Sequence, residues 1–368
     1  MNQVYKKIKQ NLVEKKYPFL DLESLRNQYK KEKDNLDFNF SNYIIIGIGG
    51  SSQGSKAVSN ILNCDNLFFF DHLSSIQIKK TLDAINIEST GFIFISKSGN
   101  TSEVLTLFDH LVEKLKDKID FDKNFLVITE KNDATLFSLA DHMGIKIIEH
   151  DKNIGGRFSI FSHAGLIPIS LFTDKVEQIF QGLKKSLDNF IDNNYEKNEY
   201  DPITIANKKY ELIKGGKKTS VMLFYGDELV ELGNWLKQLF AESLGKKNFG
   251  YLPIVSKMTQ DQHSLLQLYL DGPEDKFFEV YSSDYNKSDD FINITLSNHK
   301  DAMIKTLESE GFPILKIDSY AVEDKNKILS ELGYMFSNSI LEVLMLAELG
   351  GVDPFTQDAV EKQKSFLK

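Results

Sequence analysis

A chain of 368 residues is long enough for two domains, and its 41% hydrophobic and 26% charged content is ordinary for a soluble globular protein. The formal charge of -9 argues against a nucleic-acid backbone as the main partner, yet it allows a small anion held by a local nest of N–H groups. The one cysteine, Cys64, can close no internal disulfide and suggests no zinc cluster, which fits a reducing compartment. Residues 1–16 carry five lysines and no long apolar run, so no secretory signal is read there. No run of about 18 apolar residues suggests a membrane span, and a cytoplasmic location is expected.

Residues 1–40 are polar, lysine-rich and weakly helical, and read as a leading arm. Tyr43 to Ile46 is a continuous apolar run, the pattern of a strand buried on both faces. It enters Gly47-Ile48-Gly49-Gly50-Ser51-Ser52-Gln53-Gly54 and then a helical pattern, which makes one arm of a parallel α/β unit. Glycines let a backbone approach a ligand, and a helix N-terminus favours an anion. Dinucleotide binding would want a third glycine and an acidic residue at the next strand end; Asp71 after Phe68-Phe69-Phe70 is a candidate, so this turn alone leaves that reading open.

Gly91 to Ile95 is the next buried strand and delivers Ser96-Lys97-Ser98-Gly99-Asn100-Thr101 to a helix running from Ser102 to about Leu115. Helix capping explains one hydroxyl in such a turn. It does not explain three with a glycine, which together form a cradle for phosphate. A strand at Phe125–Thr129, a helix from Asp133 to Met143 and a strand at Ile145–Ile148 complete an alternation that implies a parallel sheet wrapped by helices. Asn153-Ile154-Gly155-Gly156-Arg157-Phe158-Ser159 follows. Its glycines leave room for a ligand beside a guanidinium able to stabilise an oxyanion, though a turn with a surface arginine gives the same pattern.

Residues 175–215, with a helical segment from Val176 to Phe190, read as a connector. Ser220 to Tyr225 opens a second strand–turn–helix series. In its helix Trp235, Leu236, Leu239 and Phe240 recur at helical spacing, Gln238 and Glu242 share one face, and Gly245 ends the run. A carboxylate beside a tight glycine turn is placed to point into a cleft, although a lone glutamate at a helix end is as a rule solvated. Phe277–Tyr281 and Phe291–Thr295 are read as later strands. Of seven histidines, only His263, in Asp261-Gln262-His263-Ser264, sits in a polar cluster; His72, His110, His142, His150, His163 and His299 are read as structural or exposed. A helix from Asn326 to Leu349 precedes a glycine pair and the segment Asp353 to Lys364, in which Gln357 and Lys364 are two turns apart on one face. The expected organisation is a helical arm (1–40), a first α/β domain (41–175), a helical connector (176–215), a second α/β domain (216–325) and C-terminal helices (326–368).

Taken in order, Gly47-Ile48-Gly49-Gly50-Ser51, Gly155-Gly156-Arg157-Phe158-Ser159, Glu242-Ser243-Leu244-Gly245-Lys246 and Phe355-Thr356-Gln357 with Glu361 and Lys364 resemble the phosphoglucose isomerase family, in its short bacterial form. Gln262-His263-Ser264 is similar to that family's histidine segment, and Ser96 to Thr101 to its phosphate loop. The chain departs from the family pattern at Leu244, His163 and Lys152. The resemblance implies two sugar-isomerase (SIS) domains, each a parallel five-stranded sheet between helices. It implies reversible isomerisation of glucose 6-phosphate and fructose 6-phosphate through a cis-enediolate, in glycolysis and gluconeogenesis, without metal or other cofactor. Ser96, Lys97, Ser98 and Thr101 would hold the phosphate with help from Gln238 and Gln357, and Gly50 and Ser51 would line the sugar. His263 and Lys364 would open the ring, Glu242 would carry the proton between carbons 2 and 1, and Arg157 would stabilise the enediolate. A homodimer with His263 contributed across the interface is implied, with no nucleic-acid or membrane partner.

The alternatives are a sugar-phosphate sensor that binds without turnover and an isomerase that also accepts mannose 6-phosphate. The isomerase half of a glucosamine-phosphate synthase would want an N-terminal cysteine, and residue 2 is Asn. A sensor could lose Glu242, Arg157 and Lys364, and all three are present.

Overall fold

A computed structural model describes residues 2–196, 200–282, 290–317, 327–364 and 366, without the side chains of Glu361, Gln363 and Lys364. The chain divides into two compact units, residues 17–180 and residues 1–16 with 181–368. The helices among the described residues are α1 (Asn2–Val13), α2 (Leu22–Asp34), α3 (Gln53–Ile61), α4 (Ser75–Ala84), α5 (Ser102–Leu115), α6 (Phe121–Asn124), α7 (Thr135–His142), α8 (His163–Ile169), α9 (Val176–Asp192), α10 (Pro202–Lys214), α11 (Val230–Leu244), α12 (Leu266–Asp271), α13 (Phe291–Ser309), α14 (Ile328–Gly350) and α15 (Asp358–Lys364).

In the 17–180 unit, five β-branched and aromatic runs form a wholly parallel sheet: β1 (Asn42–Ile46), β2 (Leu67–Phe70), β3 (Thr90–Ile95), β4 (Phe125–Thr129) and β5 (Lys146–Glu149), in the order β2-β1-β3-β4-β5. Parallel strands need helical crossovers, which cover both faces and select continuous apolar runs over alternation. Phe92, Phe94 and Phe125 pack on one face with Phe108 of α5 and Leu136 of α7. Ile45, Ile93 and Ile128 pack on the other with Ala164 and Ile167 of α8. Each such buried Phe, Leu or Ile side chain contributes about 1.5–3 kcal/mol. The strand order reverses between β1 and β3, and ligands of open α/β sheets bind outside the strand carboxyl ends at such a point. The turns after β1 and β3 are the glycine-rich and hydroxyl-rich turns marked in the sequence.

The second unit holds a parallel sheet of four strands among the described residues, in the order β7-β6-β8-β9: β6 (Thr219–Tyr225), β7 (Leu252–Met258), β8 (Lys276–Ser282) and β9 (Ile314–Lys316). The fifth strand implied by the family resemblance is not among them. Phe291–Thr295, expected as a strand, is instead the first turn of α13. The Asp290 carboxylate caps that helix by accepting from the amides of Ile292 and Asn293. The pattern then runs on at helical spacing to Met303 and Leu307, which are buried. The β-branched start leaves Phe291 81% exposed, so capping and the longer helical run override the local strand preference. α14 has the length and hydropathy of a membrane span, but 83% of the relevant window is buried within the protein, as in a core helix.

Candidate active site

The turn after β3 is shaped by its own hydroxyls. Ser96, fully buried, bonds Thr101 through their hydroxyls at 2.8 Å and accepts from the Gly99 amide at 3.2 Å. Gly99 takes a left-handed φ of +66°, and a Cβ there would stand 2.7 Å from that of Ala134, so both conformation and space call for glycine. Asn100 accepts from the Thr135 amide at 3.1 Å, which ties the turn to α7. Thr101 is the N-cap of α5, so the turn opens onto a helix N-terminus of favourable potential for a dianion. Ser98 is exposed at the apex. The Lys97 ammonium bonds the Lys152 carbonyl at 2.6 Å and lies 3.6 Å from Glu130, linking this turn to the one that follows β5.

The glycine turn after β1 meets the arginine turn directly. Gly49 to Ser51 form one turn of 3-10 helix, and Gly156 to Phe161 another. A Cβ at residue 50 would lie 2.2 Å from the carbonyl carbon of Gly156 and 2.5 Å from the Arg157 nitrogen, so the contact requires glycine at 50. The Ser159 hydroxyl donates to the Gly50 carbonyl at 3.1 Å, and Ser51 stands half-buried beside it. Arg157 is itself buried, with its guanidinium 5.2 Å from the centroid of the Phe158 ring, which in turn stacks on Phe19. The structure thus brings Gly50, Ser51 and Arg157 together, and separately Ser96 and Thr101.

His150 and His163, read from the sequence as structural or exposed, are both buried and brace the loop carrying Arg157. His150 Nε2 bonds the Ile154 carbonyl at 3.2 Å, and His163 Nδ1 bonds the Glu149 carbonyl at 2.8 Å. Burial pushes the His150 pKa down to about 4 from the ordinary 6.5. The ring is neutral in the fold and protonates more readily once unfolded. Its contribution to stability is therefore complete above pH 6.5 and is lost as pH falls toward 4, at about 1.4 kcal/mol per pH unit. Urea melts between pH 7 and 4.5 test this: His150→Gln should remove that part of the slope, and a variant with the wild-type slope would exclude His150 as the responsible group.

In the second unit, Trp235, Leu236, Leu239 and Phe240 form the buried face of α11, and Trp235 meets Phe336 of α14 edge to face at 4.7 Å. Gln238 and Glu242 lie side by side at the rim of that face, half-buried, with Gln238 Nε2 donating to Glu242 Oε1 at 3.0 Å. Beyond the helix end, Lys246 Nζ donates to the Asp353 carbonyl, and Gly350 leaves space for the ring of Phe249, which a Cβ would approach to 2.4 Å. The loop after Glu242 is thereby fixed to the end of α14 and to the segment leading to Gln357, a link that no local pattern signals. Gln357 is exposed just ahead of α15. Lys364 closes that helix, and its side chain lies outside the described residues. His263 is exposed at the end of a 3-10 turn that follows β7. No group of three or more His, Cys, Asp or Glu among the described residues is arranged to hold a metal ion.

A hydroxyl-lined turn at the switch point of a parallel sheet, opening onto a helix N-terminus, suits an anionic ligand. Comparison with known proteins names the family. The family model for phosphoglucose isomerase matches residues 33–274. The chain is 30% identical to the glucose-6-phosphate isomerase of Methanocaldococcus jannaschii over 344 residues, covering 88% of this chain and 83% of that protein. It is 37% identical to the glucose-6-phosphate isomerase of Campylobacter jejuni over 246 residues, which are 64% of this chain and 59% of that enzyme. A hypothetical protein from Thermus thermophilus shares the fold with a TM-score of 0.82 at 22% identity, over 100% of this chain and 94% of the other. The chain belongs to the phosphoglucose isomerase family.

Proposed function

We propose that this chain interconverts glucose 6-phosphate and fructose 6-phosphate by proton transfer through a cis-enediolate, as a cytoplasmic enzyme of glycolysis and gluconeogenesis. The observation that carries the reading is the Glu242 carboxylate, held by Gln238 at 3.0 Å at the end of α11. Glu242 takes the proton from carbon 2 and returns it to carbon 1, so one positioned carboxylate serves as base and then as acid. Arg157 offsets the negative charge that develops on the enediolate oxygens. Ser96, Lys97, Ser98 and Thr101 hold the phosphate, assisted by Gln238 and Gln357, and Gly50 and Ser51 line the sugar. His263 and Lys364 open the ring.

The active form is a homodimer in which His263 serves the neighbouring chain's site. In support, α11 ends before β7 begins while His263 follows the far end of β7. Seven residues of strand separate them, about 20 Å, too far for one sugar to meet both from a single chain. The phosphate assignment is tested by Thr101→Val. This change removes the partner of Ser96 and should raise KM for fructose 6-phosphate about tenfold, as expected for a lost hydrogen bond to a charged group, with kcat little changed. Unaltered KM in the variant would refute the cradle.

A further inference from the structure

Behind α11 lies a buried ionic cluster that the proposed chemistry leaves unused. The ammonium of Lys209, on α10, stands 2.8 Å from Glu279 of β8 and 2.6 Å from Glu342 of α14, with all three side chains fully buried. Glu279 also accepts from the hydroxyls of Ser220 at 2.5 Å and Tyr281 at 2.8 Å, and Glu342 accepts from the Tyr200 hydroxyl. Asn338 extends the network, donating to the Tyr200 carbonyl at 3.2 Å and accepting from Ser186 at 2.7 Å. The ammonium faces two rings, Phe240 at 4.2 Å and Tyr251 at 5.8 Å from their centroids. Burial pushes the Lys209 pKa down, but the two carboxylates outweigh it and the net shift is upward, so the lysine stays charged.

Clusters of this kind are poor sources of stability, because desolvating three charges offsets most of their attraction. They do impose directional geometry that apolar packing lacks. We propose that the Lys209–Glu279–Glu342 cluster is a positioning device for the base, fixing α11 against α14 and β8 and thereby setting where the Glu242 carboxylate stands. Phe240, the α11 residue over the ammonium, is two residues from Glu242. On the other side of Glu242, Lys246 and Phe249 are fixed to Asp353 and Gly350 at the end of α14, the same helix that supplies Glu342. The carboxylate is thus bracketed by two attachments, one through Lys209 of α10 to Glu342 of α14 and one to the end of α14 and the segment that follows it. The inference rests on the reading of Glu242 as the base. A displacement of about 1 Å at such a group can cost about a hundredfold in rate, so a remote positioning element has large leverage.

The test is the triple variant Lys209→Met, Glu279→Gln, Glu342→Gln, which keeps side-chain volume and one acceptor oxygen at each glutamate position while removing every charge. Its Tm should equal or exceed that of the wild type, while kcat for fructose 6-phosphate falls at least tenfold and KM stays within a factor of two. A purely structural cluster would move Tm and leave kcat alone, so a folded triple variant with kcat within twofold of wild type overturns the proposal. Should the triple variant fail to fold, Phe240→Met decides. It leaves the three charges in place and removes the ring that joins α11 to the ammonium, along with the ring's pairing with Tyr251, and it should show the same fall in kcat at constant KM; unchanged kcat overturns the proposal. Glu242→Gln, assayed alongside, separates the two claims. If it keeps wild-type kcat, the base assignment falls and this inference with it. If it is inactive beside a fully active triple variant, this inference alone falls.

Discussion

Glu242→Gln should lower kcat for conversion of fructose 6-phosphate to glucose 6-phosphate about a thousandfold, within the range of general acid–base catalysis, with KM changed by no more than about twofold. The amide keeps an oxygen to accept from Gln238, so the local geometry survives. Its new N–H group also has an acceptor at hand, because Gln238 Oε1 is buried without a hydrogen-bond partner among the described residues. Stability should therefore change little beside the loss of the carboxylate's capacity to take a proton. A variant with both low kcat and a lowered Tm would point to a structural role for Glu242.

Gly50→Ala is the second change with a large expected effect. The added Cβ meets backbone atoms of Gly156 and Arg157, neither of which can rotate away, so the two turns must separate. Overpacking of this kind costs roughly 2 kcal/mol. The displaced Arg157 should cost about a hundredfold in kcat/KM. The contact is asymmetric, which supplies a control. A Cβ at residue 156 would come no closer than 3.9 Å to the Cα of Gly50, an ordinary contact, so Gly156→Ala should leave stability within about 0.5 kcal/mol of wild type. Chemical melts of the two variants check this, and equal losses would show that the close approach is not what residue 50 is glycine for.

The first sheet is legible in the sequence because parallel strands covered on both faces are unbroken apolar runs, as in Tyr43–Ile46 and Phe125–Thr129. In the second sheet β7 is hidden: Pro253 and Lys257 interrupt Leu252–Met258, and only the neighbouring β6 makes it a strand. β9 is three residues long and carries no periodic signal. Phe291–Thr295 shows the converse failure, a strand-like composition drawn into a helix by the Asp290 cap. The geometry of the candidate site is legible where it is local, as in the hydroxyl turn at Ser96–Thr101 and the Gln238–Glu242 pair one helical turn apart. It is illegible where partners are distant in sequence. Lys246 finds its acceptor 107 residues away, and Lys209 reads as one more lysine on a polar helix until β8 and α14 enclose it. His150 and His163 are recognisable as supports of the Arg157 loop only once β5 and α8 bring them to its two ends.

The most direct test of the central claim, that Glu242 carries the proton between carbons 2 and 1, is turnover of fructose 6-phosphate in D2O with the product read by proton NMR. Deuterium should enter carbon 2 of glucose 6-phosphate with the wild type, since a proton held on a carboxylate exchanges with solvent, and Glu242→Gln should lower turnover and exchange together, about a thousandfold. Undiminished turnover or undiminished deuterium exchange in Glu242→Gln would contradict the claim.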